Sequence, residues 1–484
     1  FRMLSTKFPH SYINAKIKLK RKMQCSARAI QFTAWALFLS LLSACSQQLV
    51  TAAAESEKPA YSTRPRLDPK LIVAFENKIV ETLLADQKHP PKQRDSVGIT
   101  LSEHEDLETR IQTLEQLSQR LSEVNQQLLN AENKEAIRLH HRQLAYLNRQ
   151  LIGQRLNVTD QLGSRYVGLL SYYSTLTLSP DLLLDKAMER LEKNQEEIEL
   201  LLHEAGIQVT TKRLLASLSN DQTLFLSDSA EDKHLYLNLI SDLITAAPFA
   251  FAEQIATAKN KPIEVRALNN ESSTQEQFVY HSVGDNAALT AVLNVNLNDM
   301  SKLPLYEAEA KSFIYGIPGM HQLTSSRAMG EYSAAFSLDD LPAFTLGWGL
   351  YSAALAREYN LYRSPYGELG SLMLESRYAA RSIVDININR ERWSNEQARV
   401  FLQEQGFETE EGARRTIDNS RQQPGKQTSA ISGLLAFTSL AQAIKTKRRD
   451  NFNAKQFHQL IVSKGPLPLW LLEQELDEWY QTHD

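Results

Sequence analysis

Histidine followed by glutamate occurs twice in this chain, at His104-Glu105 and His203-Glu204, and adjacent histidines once, at His140-His141. A helix-borne zinc hydrolase needs a second imidazole four residues after the first, so that both reach one metal while the glutamate takes a proton from bound water. Neither His-Glu pair has that second histidine, and His140-His141 point to different parts of a helix surface. All three read as solvated helix positions. Nucleophilic catalysis fares no better, because no Gly-x-Ser-x-Gly occurs and a triad needs its nucleophile beside a base. Gly316 and Gly319 are too isolated to form a phosphate-cradling loop. The chain holds two cysteines, Cys25 and Cys45.

Cys45 is the residue whose surroundings speak most clearly. Leu42-Ser43-Ala44-Cys45 places an apolar residue and two small ones before the cysteine, behind an apolar run from Phe32 to Leu42 that includes Trp35, Leu37, Phe38, Leu39 and Leu41. Upstream lie Lys16, Lys18, Lys20, Arg21, Lys22 and Arg28. A basic region, a short apolar core and a small-residue cleavage point, in that order, describe a secretory signal too short to span a bilayer. With cysteine at the cleavage point it resembles a bacterial lipoprotein signal, which implies lipidation of Cys45 as the first mature residue. Several acyl chains, at about 0.8 kcal/mol per buried methylene, would hold the protein on a bilayer. Ser46 follows in place of an inner-membrane-retaining aspartate, so the expectation is an outer-membrane anchor facing the periplasm. Translation from Met3 or from Met23 would serve equally.

Residues 1–44 carry eight basic side chains and no acid, which leaves 45 basic against 57 acidic residues, or −12, in the mature chain. Such an acidic body argues against nucleic acid as a partner. One mature thiol allows no disulfide even in an oxidising compartment. The expected organisation is a signal at 1–44, a lipidated tether at 45–68, a helical region at 69–260 and a C-terminal region at 261–484.

The tether, rich in Ser, Ala, Glu, Lys and Pro, lacks periodicity. Leu114, Leu117, Leu121, Val124 and Leu128 form one helical stripe, and Leu144, Leu147 and Leu151 repeat it after a polar break, so a helical hairpin is expected over 107–156. Ser179-Pro180-Asp181 and Asp228-Ser229 are helix starts, the first with a capping hydroxyl and proline at the first helical position. Ile263–Val265, Phe278–Tyr280 and Leu293–Leu297 predict short strands. Helix resumes near Leu305, with interruptions at Asp385–Asn389 and Pro424-Gly425. The fold class is therefore mainly α, with a small β element around residues 262–298.

From Leu305 onward the chain resembles a known family. Ile317-Pro318-Gly319-Met320-His321-Gln322, Gly347-Trp348-Gly349-Leu350-Tyr351, Ala379-Ala380-Arg381 with Val384-Asp385, Pro424-Gly425 with Thr428-Ser429, and Phe457-His458 fall in one order. They are similar to the bacterial family called domain of unknown function 885, over roughly residues 260–480. The resemblance implies a large helical scaffold like that of zinc metallopeptidases of the gluzincin type. It implies Pro318, Gly319, Trp348, Tyr351, Arg381, Asp385, Pro424, Gly425 and His458 as retained positions. Trp348 and Tyr351, three apart, would pack in the core, and Arg381 with Asp385 would form an i, i+4 pair.

The departures concern chemistry. The family's His-Glu-x-x-Pro-Gly-His-His becomes Ile314, Tyr315 and then Met320-His321, leaving His321 alone. The acid before its Gly-Trp becomes Leu346, and a later histidine becomes Asn389. A Tyr-Lys pair after Thr-Ser becomes Ala430 and Ile431. Aliphatic side chains cannot bind zinc, and a thioether binds it poorly. The expectation is a degenerate scaffold with no catalytic residue, no metal site and no cofactor, serving to bind a peptide or an envelope protein. A peptidase with a rearranged site and a purely structural envelope protein are the alternatives.

Overall fold

The computed structural model describes residues 162–482 apart from 207–213, 215–217, 219–220, 256–261, 269–275, 282–289, 328–340 and 406–407, together with two helical positions, Gln116 and Gln119. The chain divides into units at 1–67 and 68–484, and every described residue belongs to the second. The signal, Cys45, the tether and nearly all of the 107–156 hairpin thus lie outside the described residues. So do His104, His140 and His141.

The described chain is mainly α with one small sheet. Helices α1 (Leu162–Ser174), α2 (Pro180–Glu204) and α3 (Ala230–Ala250) come first. In α2, proline occupies the first turn with Asp181 beside it, but the Ser179 hydroxyl makes no capping bond, contrary to the sequence expectation. Asp181 instead pairs with Arg392 of the segment after the helix Pro365–Asn389, 2.5 Å away, an ionic contact at this end of α2. Leu183, Ala187, Leu191, Ile198 and Leu202 form the buried stripe that packs α2 on the long helix Pro365–Asn389. In α3 the Ser229 hydroxyl does cap, accepting from Asp232 N–H at 3.1 Å, a bond that contributes about 1 kcal/mol.

The strands are β1 (Ile263–Ala267), β2 (Phe278–His281) and β3 (Ala291–Val295), in the order β1-β3-β2. β3 pairs parallel with β1, Ile263 opposite Ala291, and antiparallel with β2, Phe278 opposite Val295. Alternate residues of β3, namely Ala291, Leu293 and Val295, are buried. Leu293 and Val295 pack with Tyr236, Ile240 and Ile244 of α3. The third strand begins and ends two residues earlier than the apolar run suggested.

Then follow α4 (Leu305–Tyr315), α5 (Met320–Arg327), α6 (Pro342–Glu358), α7 (Pro365–Asn389), α8 (Asn395–Gln405), α9 (Glu410–Gln422), α10 (Ser429–Arg448), α11 (Ala454–Lys464) and α12 (Leu469–Thr482). α7 spans roughly 37 Å at 1.5 Å per residue; α2, α4, α8 and α9 pack along it. It runs through Asp385–Asn389 without the expected interruption. The amides there are satisfied inside the helix, Asn387 Nδ2 donating to the Ile383 carbonyl at 2.8 Å and Asn389 Nδ2 to that of Asp385 at 2.9 Å. Pro424-Gly425 does mark a turn, between α9 and α10. Gly425 has φ of 84°, a left-handed conformation that only glycine adopts freely.

α6 and α10 approach most closely. A Cβ on Gly433 would lie 1.8 Å from the Ala343 carbonyl oxygen, and one on Gly347 would lie 2.4 Å from Gly433 Cα. Two glycines facing each other let these backbones touch, and Phe344, Trp348 and Phe437 pack around the crossing. Among the described residues, no helix is long and apolar enough to cross a membrane.

Candidate functional site

The positions singled out above fall into separate places rather than around one centre. α4 ends at Tyr315, and a turn through cis Ile317-Pro318 leads into α5. This turn is tight: a Cβ on Gly319 would lie 2.0 Å from the Ile314 carbonyl oxygen. The indole N–H of Trp348 donates to the Pro318 carbonyl at 2.7 Å, so the tryptophan of α6 holds the turn. Ile314 is buried, and its side chain lies where a Cβ on Gly349 would be. Met320 is buried as well, whereas Leu346 is half-buried against the main core.

Tyr315 stacks on Phe278 of β2, ring centroids 5.3 Å apart. Burial pushes its phenol well above the ordinary range, with the charge and hydrogen bond of Tyr378 adding to the effect, so it stays neutral. His321 is 1% exposed. Its Nδ1 lies 3.0 Å from the Tyr280 hydroxyl and its Nε2 3.4 Å from that of Ser325. Tyr280 also meets Thr324 Oγ1 at 2.6 Å. The one surviving imidazole is therefore embedded among hydroxyls.

Zinc is the metal that the resemblance implies, and the side chains present do not fit it. Ile314 and Leu346 offer no lone pair, and a metal on His321 would have to displace Tyr280 or Ser325. Among the described residues, no group of three or more His, Cys, Asp or Glu side chains could hold a metal ion.

The retained positions form two further clusters. Trp348, Tyr351 and His458 meet in the core. The carbonyl of Gln254 only accepts, so His458 must carry its proton on Nδ1, 2.7 Å away, leaving Nε2 to accept from the Tyr351 hydroxyl at 2.9 Å. Burial pushes this imidazole down to about 4. A base with a depressed pKa contributes stability fully above the unfolded value near 6.5 and loses it as pH falls toward 4. The stability gap between the wild type and His458→Gln is expected to shrink by up to about 3 kcal/mol between pH 7 and 4. Urea unfolding at both pH values checks this; a constant gap would show that His458 titrates normally.

At the second cluster, Asp385 Oδ2 accepts from the Tyr166 hydroxyl at 3.0 Å and from Gly425 N–H at 2.8 Å. Burial raises this carboxyl to about 7. Asn389 sits beside it and donates to the Ser420 carbonyl at 3.0 Å, which ties α7 to α9. The expected Arg381–Asp385 pair is not formed. Arg381 pairs with Glu408 at 2.6 Å and stacks over Tyr378, because Asp385 turns inward to the uncharged donors of α1 and the Pro424-Gly425 turn. Ala430 and Ile431 are buried.

Sequence reasoning missed Tyr280, Tyr166 and the buried ion networks. Glu307 pairs with Lys311 at 3.0 Å and Arg377 at 2.9 Å. Only the i, i+4 spacing of Glu307 and Lys311 could have signalled it. His203-Glu204 sits at the end of α2 with His203 exposed, as a surface position.

Residues 26–476 match the family described as "Bacterial protein of unknown function (DUF885)". The chain belongs to that family. The match reaches far upstream of residue 260, where the individual motifs begin. Among solved structures, the DUF885 chain is similar to a candidate lipoprotein from Colwellia psychrerythraea, with a TM-score of 0.61 and 19% identity over 85% of this chain and 75% of that one. It is also similar to a candidate lipoprotein of unknown function from Shewanella oneidensis, with a TM-score of 0.56 and 15% identity over 84% and 77% of the two chains. At such identities the likeness is one of fold. Among curated proteins, none matches the chain.

Proposed function

We propose that this DUF885 protein is a lipid-anchored envelope protein, facing the periplasm from the outer membrane, whose peptidase-like scaffold binds a peptide or an envelope protein without cleaving it. The observation that carries the reading is His321, whose ring nitrogens are both engaged by hydroxyls in a buried setting, while the position matching the family's first histidine is the buried, apolar Ile314. A general base and two more ligands would be needed there for hydrolysis, and Tyr315 stays protonated. The lipobox at Cys45 supports the anchor, and both similar solved structures are described as candidate lipoproteins.

Elemental analysis of the mature chain, before and after dialysis against zinc, tests the site. The expected result is less than about a tenth of a zinc per chain, against the stoichiometric holding typical of closed three- or four-ligand sites. One tightly held zinc would return the reading to a hydrolase. Labelling cells with radioactive palmitate tests the anchor: wild type is expected to take up label and Cys45→Ser to take up none.

A further inference from the structure

We propose that the surface formed by the end of α3 and the α10–α11 turn rests on an anionic bilayer, seating the folded body on the membrane. Phe249, in the last turn of α3, is 84% exposed, whereas the other exposed large apolar side chains range from 38% to 52%. A ring this open gains free energy from any apolar medium that covers it. Three residues on, the Ala252 carbonyl accepts from Lys455 Nζ at 2.6 Å, which ties the end of α3 to the start of α11. Around this junction the chain places Lys445, Lys447, Arg448 and Arg449 within five residues.

Part of that charge has other work. Lys447 pairs with Asp477 at 2.9 Å, and Arg448 lies over the Tyr480 ring while donating to the Tyr480 carbonyl. Cations in the last turn of α10 also complement its dipole. Lys445 and Arg449, both exposed, have no ion pair among the described residues, and neither has Lys455. Acidic neighbours at Glu253 and Asp450 are exposed too, so the local excess is modest. It stands out because the mature chain as a whole is acidic, and an anionic surface repels the rest of the body.

An exposed aromatic ring on a segment tied to a basic turn suits the boundary between lipid headgroups and acyl chains. The ring enters the apolar edge while the long basic side chains reach phosphate. Tyr480 and Trp479, half-buried and in edge contact at 5.0 Å, lie beside Arg448 and extend the aromatic character of this face. The proposal draws on the lipid-anchor reading only for the presence of a bilayer nearby.

The test uses the mature chain from Cys45 to Asp484 made without acyl groups, so that the anchor contributes nothing. It is sedimented with vesicles of pure phosphatidylcholine and with vesicles containing phosphatidylglycerol. The expected result is binding to the anionic vesicles that weakens in salt. Replacing Lys445, Arg449 and Lys455 with glutamine should lower the partition coefficient roughly fivefold for each cation. Phe249→Ser should lower it about tenfold. Lys445, Arg449 and Phe249 are exposed, so circular dichroism and thermal midpoints should be unchanged for their variants, which carry the test; Lys455→Gln also removes the bond to the Ala252 carbonyl and is judged beside its own thermal midpoint. No vesicle binding, binding indifferent to these changes, or pelleting with peptidoglycan alone would overturn the proposal. A negative palmitate result at Cys45 would overturn the anchor and leave this measurement standing.

Discussion

Replacing Glu375 with alanine is expected to destabilise the fold by about 3–5 kcal/mol, the range seen when one partner of a buried ion pair is removed. Glu375 is 1% exposed and pairs with two guanidiniums, those of Arg190 from α2 and Arg357 from α6. Burial alone would raise its carboxyl, but the charges of Arg190 and Arg357 prevail and hold it at about 2. Arg357 is itself buried and has no water to turn to. Without Glu375 it keeps its hydrogen bond to the Ser371 hydroxyl and the more distant charge of Glu197. Guanidinium chloride unfolding at pH 7 measures the loss. Glu375→Gln, which keeps an acceptor but not the charge, should fall between. The Glu375 contribution is present above the unfolded value near 4.5 and is lost as pH falls toward 2, so the alanine penalty should lessen in acid. A loss below 1 kcal/mol at pH 7 would mean that water reaches Arg357.

Gly433→Val should cost more than about 3 kcal/mol, at or beyond the upper end of overpacking effects. Its Cβ would sit inside contact distance of the Ala343 carbonyl, and both atoms belong to helix backbone, which cannot swing away as a side chain can. α6 and α10 would have to separate, opening the packing of Trp348 on Phe437. Ala443→Val, on the exposed side of the same helix, isolates the intrinsic effect of valine and should cost less than about 0.5 kcal/mol. Equal thermal midpoints for the two variants would show that the helices are not in contact.

What the sequence disclosed and what it withheld follow a physical line. Features set by neighbours within a few residues were legible: the existence of three short strands though not the bounds of the third, the proline opening α2, the turn at Pro424-Gly425, and the burial of Trp348 and Tyr351 on one helix face. The family was legible because its motifs are short and ordered. Local reading failed where a side chain had a better partner far away. Ser179 leaves its helix uncapped because Asp181 docks on Arg392. Arg381 ignores Asp385, four residues on, because Glu408 is nearer to solvent and charged. Tyr166 and Asp385 are 219 residues apart, and nothing in either segment announces the other. The placement of His321 among Tyr280, Thr324 and Ser325 was hidden for the same reason, since a strand 40 residues upstream supplies its partner.

Leu469 N–H donates to the Thr175 hydroxyl at 2.8 Å across 294 residues, as the end of α1 meets the start of α12. Together with the Tyr166–Asp385 and Gln254–His458 bonds, it makes the earliest described helices depend on the latest. Such a chain accumulates contacts of long sequence separation, which slow folding by demanding closure of large loops first. The first described helices therefore gain these partners only when the C-terminal ones have docked, so a chain cut short before residue 469 should leave them without a closed core.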